Sequence, residues 1–236
     1  ANLIYICHGK AKIDRKPRLY SYKRTLEEFL ERFEKKDYRT KIGMIGELLS
    51  HVIFIRYNDN FNSINPFFNM EEKSITKGFD LLLVDEENEN KLWITEVKSG
   101  ELASMNNSDK KNKNLLSVAK SDLKKRLNSN ENHIWHNAIN GASISMRKGD
   151  LKDAIIDILE DSLEDSYKKI NISKNKNVII ASVLFNDIND MIDLESLENF
   201  RSKTISDDLF SDLIVFSIHK ETYEKVVKFL KSEVEK

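Results

Sequence analysis

The segment that most constrains this chain is Val178–Phe185, a run in which only Ser182 is not apolar. An apolar run with no alternation reads as a strand buried on both faces, and such strands belong to sheets covered by helices on each side. Leu213–Ile218 reads the same way. Around these runs, apolar residues recur at helical spacing. They are Leu26, Phe29, Leu30 and Phe33; a stretch over Thr40–Arg56; Leu115, Val118, Ala119 and Leu123 within Asn114–Leu127; Ala154, Ile155, Ile158, Leu159 and Leu163 within Leu151–Ile170; and Tyr223, Val226, Val227 and Leu230. Thr25 followed by Glu28 is a capping-box pattern and predicts the start of the first of these helices. Leu3–Cys7 reads as a short strand. Phe79–Val84 and Leu92–Lys98 read as two more, paired as a hairpin by the polar tip Asp85–Lys91. Asn58–Asn69 reads as a loop, and the Asn- and Lys-rich stretch Ser99–Lys113 as a flexible one. Strands alternating with helices predict an α/β domain with a mixed sheet flanked by helices.

The 236 residues are enough to bury a substantial core. The single cysteine, Cys7, excludes an internal disulfide framework and points to a reducing cytoplasm. No apolar run approaches the roughly 20 residues of a membrane span. Ala1–Lys10 carries its basic residue after the apolar run, the reverse of a signal peptide. Net charge is -1, but it is segregated. Lys10–Arg24 and Lys110–Arg126 each hold seven Lys or Arg, against Asp14 and Asp122 alone, whereas Asp150–Asp165 holds seven acids against Lys152. Such segregation suits a phosphate-binding face beside an acidic one, and equally suits ordinary solvated helix surface.

Chemistry concentrates in Gly78-Phe79-Asp80 followed, after an interval, by Glu96-Val97-Lys98. Glu-x-Lys alone says little, since Glu34–Lys36, Glu71–Lys73 and Glu89–Lys91 repeat it. Glu96 differs because it ends the apolar and β-branched run Leu92-Trp93-Ile94-Thr95. Alternate strand residues share a face, so Glu96 and Lys98 line up with Leu92 and Ile94, and half-buried charges in that row need partners, a metal or both. A hairpin brings Asp80 beside Glu96. Two carboxylates there suit Mg²⁺ or Mn²⁺, hard ions that take oxygen ligands and keep several waters, with the Val97 carbonyl as a further ligand. Lys98 then orients or deprotonates the attacking water, or neutralises the transition state. The helix over Thr40–Arg56 carries Gly43, Gly46, Glu47 and Ser50 on one side. Two interior glycines, costing roughly 1 kcal/mol each, point to close contact with a sheet, which presents Glu47 near the metal; the alternative is a Glu reaching solvent.

The order helix-Glu47, strand-Asp80, strand-Glu96-x-Lys98, helix resembles the PD-(D/E)XK nucleases and their restriction-endonuclease-like core, with Phe79 in place of the Pro that names the motif. The resemblance implies that Glu47, Asp80 and Glu96 bind Mg²⁺ and that Lys98 assists the attacking water. More narrowly, Ile45-Gly46-Glu47-Leu48-Leu49, Lys77-Gly78-Phe79-Asp80 and Leu92-Trp93-Ile94-Thr95-Glu96-Val97-Lys98 resemble the nuclease subunit of the Hachiman anti-phage system. That resemblance implies a nuclease held inactive by a helicase subunit and released when the partner engages abnormal DNA. The chain has no GxxxxGK[ST] loop, so any ATP use belongs to the partner. The expectation is one nuclease domain over residues 1–236, with its catalytic core at about 40–130 and its sheet completed by 177–218.

Other residues are weighed against plainer readings. Lys120, Lys124 and Lys125, on the helix after the strand pair, either contact the DNA backbone or are simply solvated, and Ser117 and Lys120 lie one turn apart, within reach of the site. His51, four residues after Glu47, is an ordinary buried histidine or a support for Glu47. His133 and His136 lack companions for zinc. Trp135 reads as core or interface, Asp85–Glu89 as a solvated tip, and Cys7 as a small apolar residue. The reading that follows is a sequence-nonspecific Mg²⁺-dependent DNA endonuclease or nickase. Its alternatives are a nucleic-acid-binding or helicase-docking module on a nuclease-like scaffold, and a conventional restriction endonuclease, for which no specificity domain is visible.

Overall fold

Five strands form one mixed sheet in the order β1-β2-β3-β4-β5. The computed structural model describes residues 2–58, 60–68, 78–85, 87, 91–102, 107–129, 131–170 and 173–236. β1 (Phe61–Ser63), β2 (Leu81–Asp85) and β3 (Leu92–Glu101) are antiparallel neighbours, while β4 (Asn177–Phe185) and β5 (Asp212–Lys220) run parallel to β3. The expected hairpin is present, with Leu81 opposite Thr95 and Leu83 opposite Trp93; of its tip, residues 86 and 88–90 lie outside the described residues. Parallel neighbours need long crossovers. Between β3 and β4 these are α5 (Ser108–Leu127), α6 (Asn132–Ser145) and α7 (Asp150–Tyr167), and between β4 and β5 the crossover is α8 (Leu194–Ser206). Ahead of the sheet come α1 (Asn2–His8), α2 (Lys10–Arg15), α3 (Tyr22–Glu34) and α4 (Tyr38–Tyr57), and α9 (Tyr223–Val234) closes the chain.

The two faces of the sheet carry two cores. Leu82, Val84, Ile94, Val178, Ile180 and Leu213 pack under Leu116, Ala119 and Leu123 of α5, Trp135 of α6, Ile155 and Leu159 of α7 and Phe200 of α8. Val97, Ala181, Val183, Phe185 and Ile218 pack under Cys7 of α1, Leu26, Phe29 and Phe33 of α3, Ile45 and Leu48 of α4, and Tyr223, Val227 and Leu230 of α9. This is a mixed sheet flanked by helices on both sides, as the Val178–Phe185 run demands, and it is the restriction-endonuclease-like arrangement. Among the described residues no helix is long and apolar enough to cross a membrane.

Several local expectations are corrected. Leu3–Cys7 is not a strand but most of α1. A five-residue apolar run has no period to separate a buried helix turn from a strand, and the carbonyls of Ile6 and Cys7 are satisfied by Phe67 N (2.8 Å) and Phe68 N (3.1 Å) instead of a sheet neighbour. α3 begins a turn before Thr25: Ser21 is its N-cap, accepting from Arg24 N at 3.2 Å, and Thr25 is buried, donating to Ser21 O at 2.8 Å. Leu213–Ile218 is the outer strand β5 and is only partly buried. Asn58–Asn69 contains β1, and Ser99–Lys113 is largely the end of β3 and the first turns of α5, with residues 103–106 outside the described residues. Of the two helix glycines, only Gly46 is pressed: a Cβ there would lie 1.7 Å from Ser99 Oγ, whereas a Cβ on Gly43 meets nothing within 4 Å. Trp135 is wholly buried core.

Candidate active site

Register builds the site. Because Leu81 faces Thr95, the residue before it, Asp80, comes opposite Glu96. Along β3, Leu92 and Ile94 enter the core beneath α5, and Glu96 and Lys98 continue the same row. Both end on α5. Lys98 Nζ donates to Glu96 Oε1 at 2.7 Å and pairs with Asp122 Oδ2 at 2.7 Å. Arg126 Nη1 donates to Glu96 Oε2 at 3.0 Å and to the Gly78 carbonyl at 3.3 Å. Asp80 is tied to the same strand, its Oδ2 accepting from Val97 N at 2.8 Å. Glu96 itself is 0% exposed.

α4 approaches this hairpin from the opposite face. Its N-cap Asp37 accepts from Arg39 N (3.0 Å) and Thr40 N (3.1 Å). Gly46 lets it rest on Ser99 of β3, and His51 Nε2 bonds the Asp80 carbonyl at 3.1 Å. A carbonyl only accepts, so Nε2 carries the proton. Half-buried Glu47 lies between these two contacts on the helix. Among the described residues no group of three or more His, Cys, Asp or Glu side chains is gathered for a metal ion. The geometry joins Asp80 to Glu96, with Glu47 a neighbour on α4.

The electrostatics follow from burial. Glu96 is pushed up to about 7, first by its removal from water and then by the charge of Asp80, with Lys98 and Arg126 pulling the other way. For Lys98, burial works to lower the pKa, but Glu96 and Asp122 outweigh it and hold the amine above the ordinary lysine range. It is thus held as an ammonium. His51 is pushed down to about 4 by its burial, so it is a neutral donor at ordinary pH. Cys7 is buried and its thiol is pushed up, first by burial and then by the charge of Glu28, as befits an inert packing residue.

Asp80 and Glu96 supply hard oxygen donors on neighbouring strands, and their mutual repulsion is what a divalent cation relieves. An ion such as Mg²⁺ needs only one or two carboxylates beside its waters, so this pair fits one in donor chemistry. Val97 is present at the site through its N–H.

α5 sets its lysines in different surroundings. Lys120 Nζ pairs with Asp207 Oδ2 at 3.1 Å and lies 5.7 Å from the Phe200 ring centroid, so it rests on α8. Ser117 is exposed and donates to the Lys113 carbonyl at 2.7 Å. Lys124 and Lys125 are exposed. Asp122 and Arg126 reach the site instead, four apart and hence on one side of the helix. Their one trace in the sequence is that Asp122 is the lone acid of the basic run, in register with Arg126.

No curated protein sequence matches this chain. A family model described as HamA matches residues 1–234, nearly its whole length. With a mixed α/β fold and this hairpin-and-helix site, the chain belongs to the HamA family, the nuclease-like subunit of the Hachiman anti-phage defence system.

Proposed function

We propose that this protein is a metal-dependent DNA endonuclease or nickase of the PD-(D/E)XK class, indifferent to sequence and controlled by a helicase partner. The observation that carries the reading is the convergence of Asp80, Glu96 and Lys98: a wholly buried carboxylate facing an aspartate across the hairpin, with an ammonium two residues along the strand. Charges buried this way are costly to hold and are characteristic of sites that bind or react. Asp80 and Glu96 are the residues to hold Mg²⁺ or Mn²⁺, with Glu47 and the Val97 carbonyl as further oxygen donors from α4 and β3. When bound, such an ion acidifies a coordinated water and offsets charge on the phosphate.

The chain's own residues do the rest. Asp80 is oriented by the Val97 N–H, and its backbone is held by His51. Lys98 is a fixed donor beside Glu96, placed to orient the incoming water and to balance negative charge on the phosphate. Asp122 keeps that ammonium in position. Exposed Lys124 and Lys125 supply backbone attraction along α5.

The experiment is hydrolysis of supercoiled plasmid with Mg²⁺, by the protein alone and with its genomic neighbour. Nicking is expected, and Glu96→Ala or Lys98→Ala is expected to reduce it by on the order of 10²-fold or more. Hydrolysis that survives both substitutions overturns the assignment. A second reading, a DNA- or helicase-docking module with little catalysis, is favoured by one observation: both oxygens of Glu96 are already taken by Lys98 and Arg126. It predicts binding that ignores both Mg²⁺ and those substitutions.

A further inference from the structure

Arg126 spends its hydrogen bonds unevenly. A single nitrogen, Nη1, serves both Glu96 Oε2 at 3.0 Å and the Gly78 carbonyl at 3.3 Å. The remaining N–H groups of the guanidinium make no hydrogen bond among the described residues, and the side chain is 26% exposed. A planar fork with one edge on a buried carboxylate and the other open to solvent is suited to a second oxyanion, and phosphate oxygens match its geometry.

We propose that Arg126 is a shared cation of this site: it neutralises Glu96 while no divalent ion is bound, and turns its guanidinium to the phosphate of the DNA strand once an ion engages Glu96. The proposal rests on the nuclease reading above. It makes Arg126 a competitor of the ion in the resting protein and a substrate-binding residue in the loaded one. A residue needed only for folding would do neither, since its loss weakens ion binding and DNA hydrolysis together.

The test uses the full chain and two measurements: Mn²⁺ binding by calorimetry, and plasmid hydrolysis. Arg126→Gln is expected to bind Mn²⁺ more tightly, by about tenfold for the loss of one charged competitor, yet to hydrolyse DNA on the order of 10²-fold more slowly. Arg126→Lys, which keeps the charge and guards against misfolding, is expected to bind Mn²⁺ as the unmodified protein does and to hydrolyse DNA at an intermediate rate, because a point charge cannot hold phosphate bidentately. Glu96→Gln is the control. If it leaves Mn²⁺ binding intact, the metal reading falls and this proposal with it. If it abolishes binding but Arg126→Gln fails to tighten it, or leaves hydrolysis unchanged, the shared-cation role alone is overturned.

Discussion

Glu96 and His51 are both buried beside Asp80, yet burial shifts them in opposite directions because one is charged when it loses a proton and the other when it gains one. His51 moves from 6.5 to about 4, so between these values the unfolded chain binds the extra proton. Its contribution to stability is complete above the unfolded value and is lost as pH falls, roughly 3 kcal/mol in all. Glu96 moves from 4.5 to about 7, so here the folded protein binds the extra proton. Its contribution is complete below the unfolded value and is lost as pH rises towards neutrality. The two effects oppose each other across the interval they share. Difference curves from urea denaturation separate them: relative to the unmodified protein, Glu96→Gln is expected to gain stability as pH rises from 5 to 7, and His51→Gln as pH falls from 6 to 4.5. Parallel curves for all three proteins count against these burial effects. At this scale the sequence showed Asp80, Glu96 and Lys98 because strand alternation states which side chains share a face. It did not show Asp122 or Arg126, since which side of a helix meets a distant strand is decided by packing, not by local pattern.

The elements divide along the same line. The hairpin is legible because its two short runs have strand composition and a polar tip, and β4 because an unbroken apolar run has few other homes. α1 is not, being too short for a period to show, and β5 reads as an inner strand because composition does not say what lies beyond it. The glycines of α4 look alike in the sequence, but only one has a spatial reason. A Cβ on Gly46 would stand 1.7 Å from Ser99 Oγ, 2.7 Å from Ser99 Cβ and 3.2 Å from Val183 Cβ. Gly46→Ala is therefore expected to push α4 off β3 and cost about 2–3 kcal/mol. Gly43→Ala meets nothing within 4 Å and is expected to stabilise by roughly 0.5–1 kcal/mol through helix propensity. Adding Ser99→Gly to Gly46→Ala removes the two nearest clashes and is expected to restore part of the stability. Equal effects of the two alanines in thermal unfolding would mean that α4 does not bear on β3 at Gly46.

Across the whole molecule, the site lies where the two cores meet: Glu96 and Lys98 face α5, while Val97 and Ser99, alternating with them, face α4. A displacement of either helix therefore reaches the same strand. α5 also links the site to the protein's charge distribution, since the basic run visible in the composition becomes a helix with distinct sides. One side carries Asp122 and Arg126 into the site, another sets Lys120 against Asp207 of the loop after α8, and Lys124 and Lys125 remain in solvent. Lys124 and Lys125 are open to exchange counterions for phosphates, whereas Lys120 is paired with Asp207. DNA affinity measured against salt in Ca²⁺ is thus expected to show a log–log slope smaller by about 2 in Lys124→Ala/Lys125→Ala, at roughly 0.9 for each phosphate that is no longer neutralised. Lys120→Ala, whose ammonium is already committed within the fold, is expected to leave the slope unchanged. The opposite ranking would mean that α5 turns a different side to DNA, and that the Lys120–Asp207 pair opens when DNA binds.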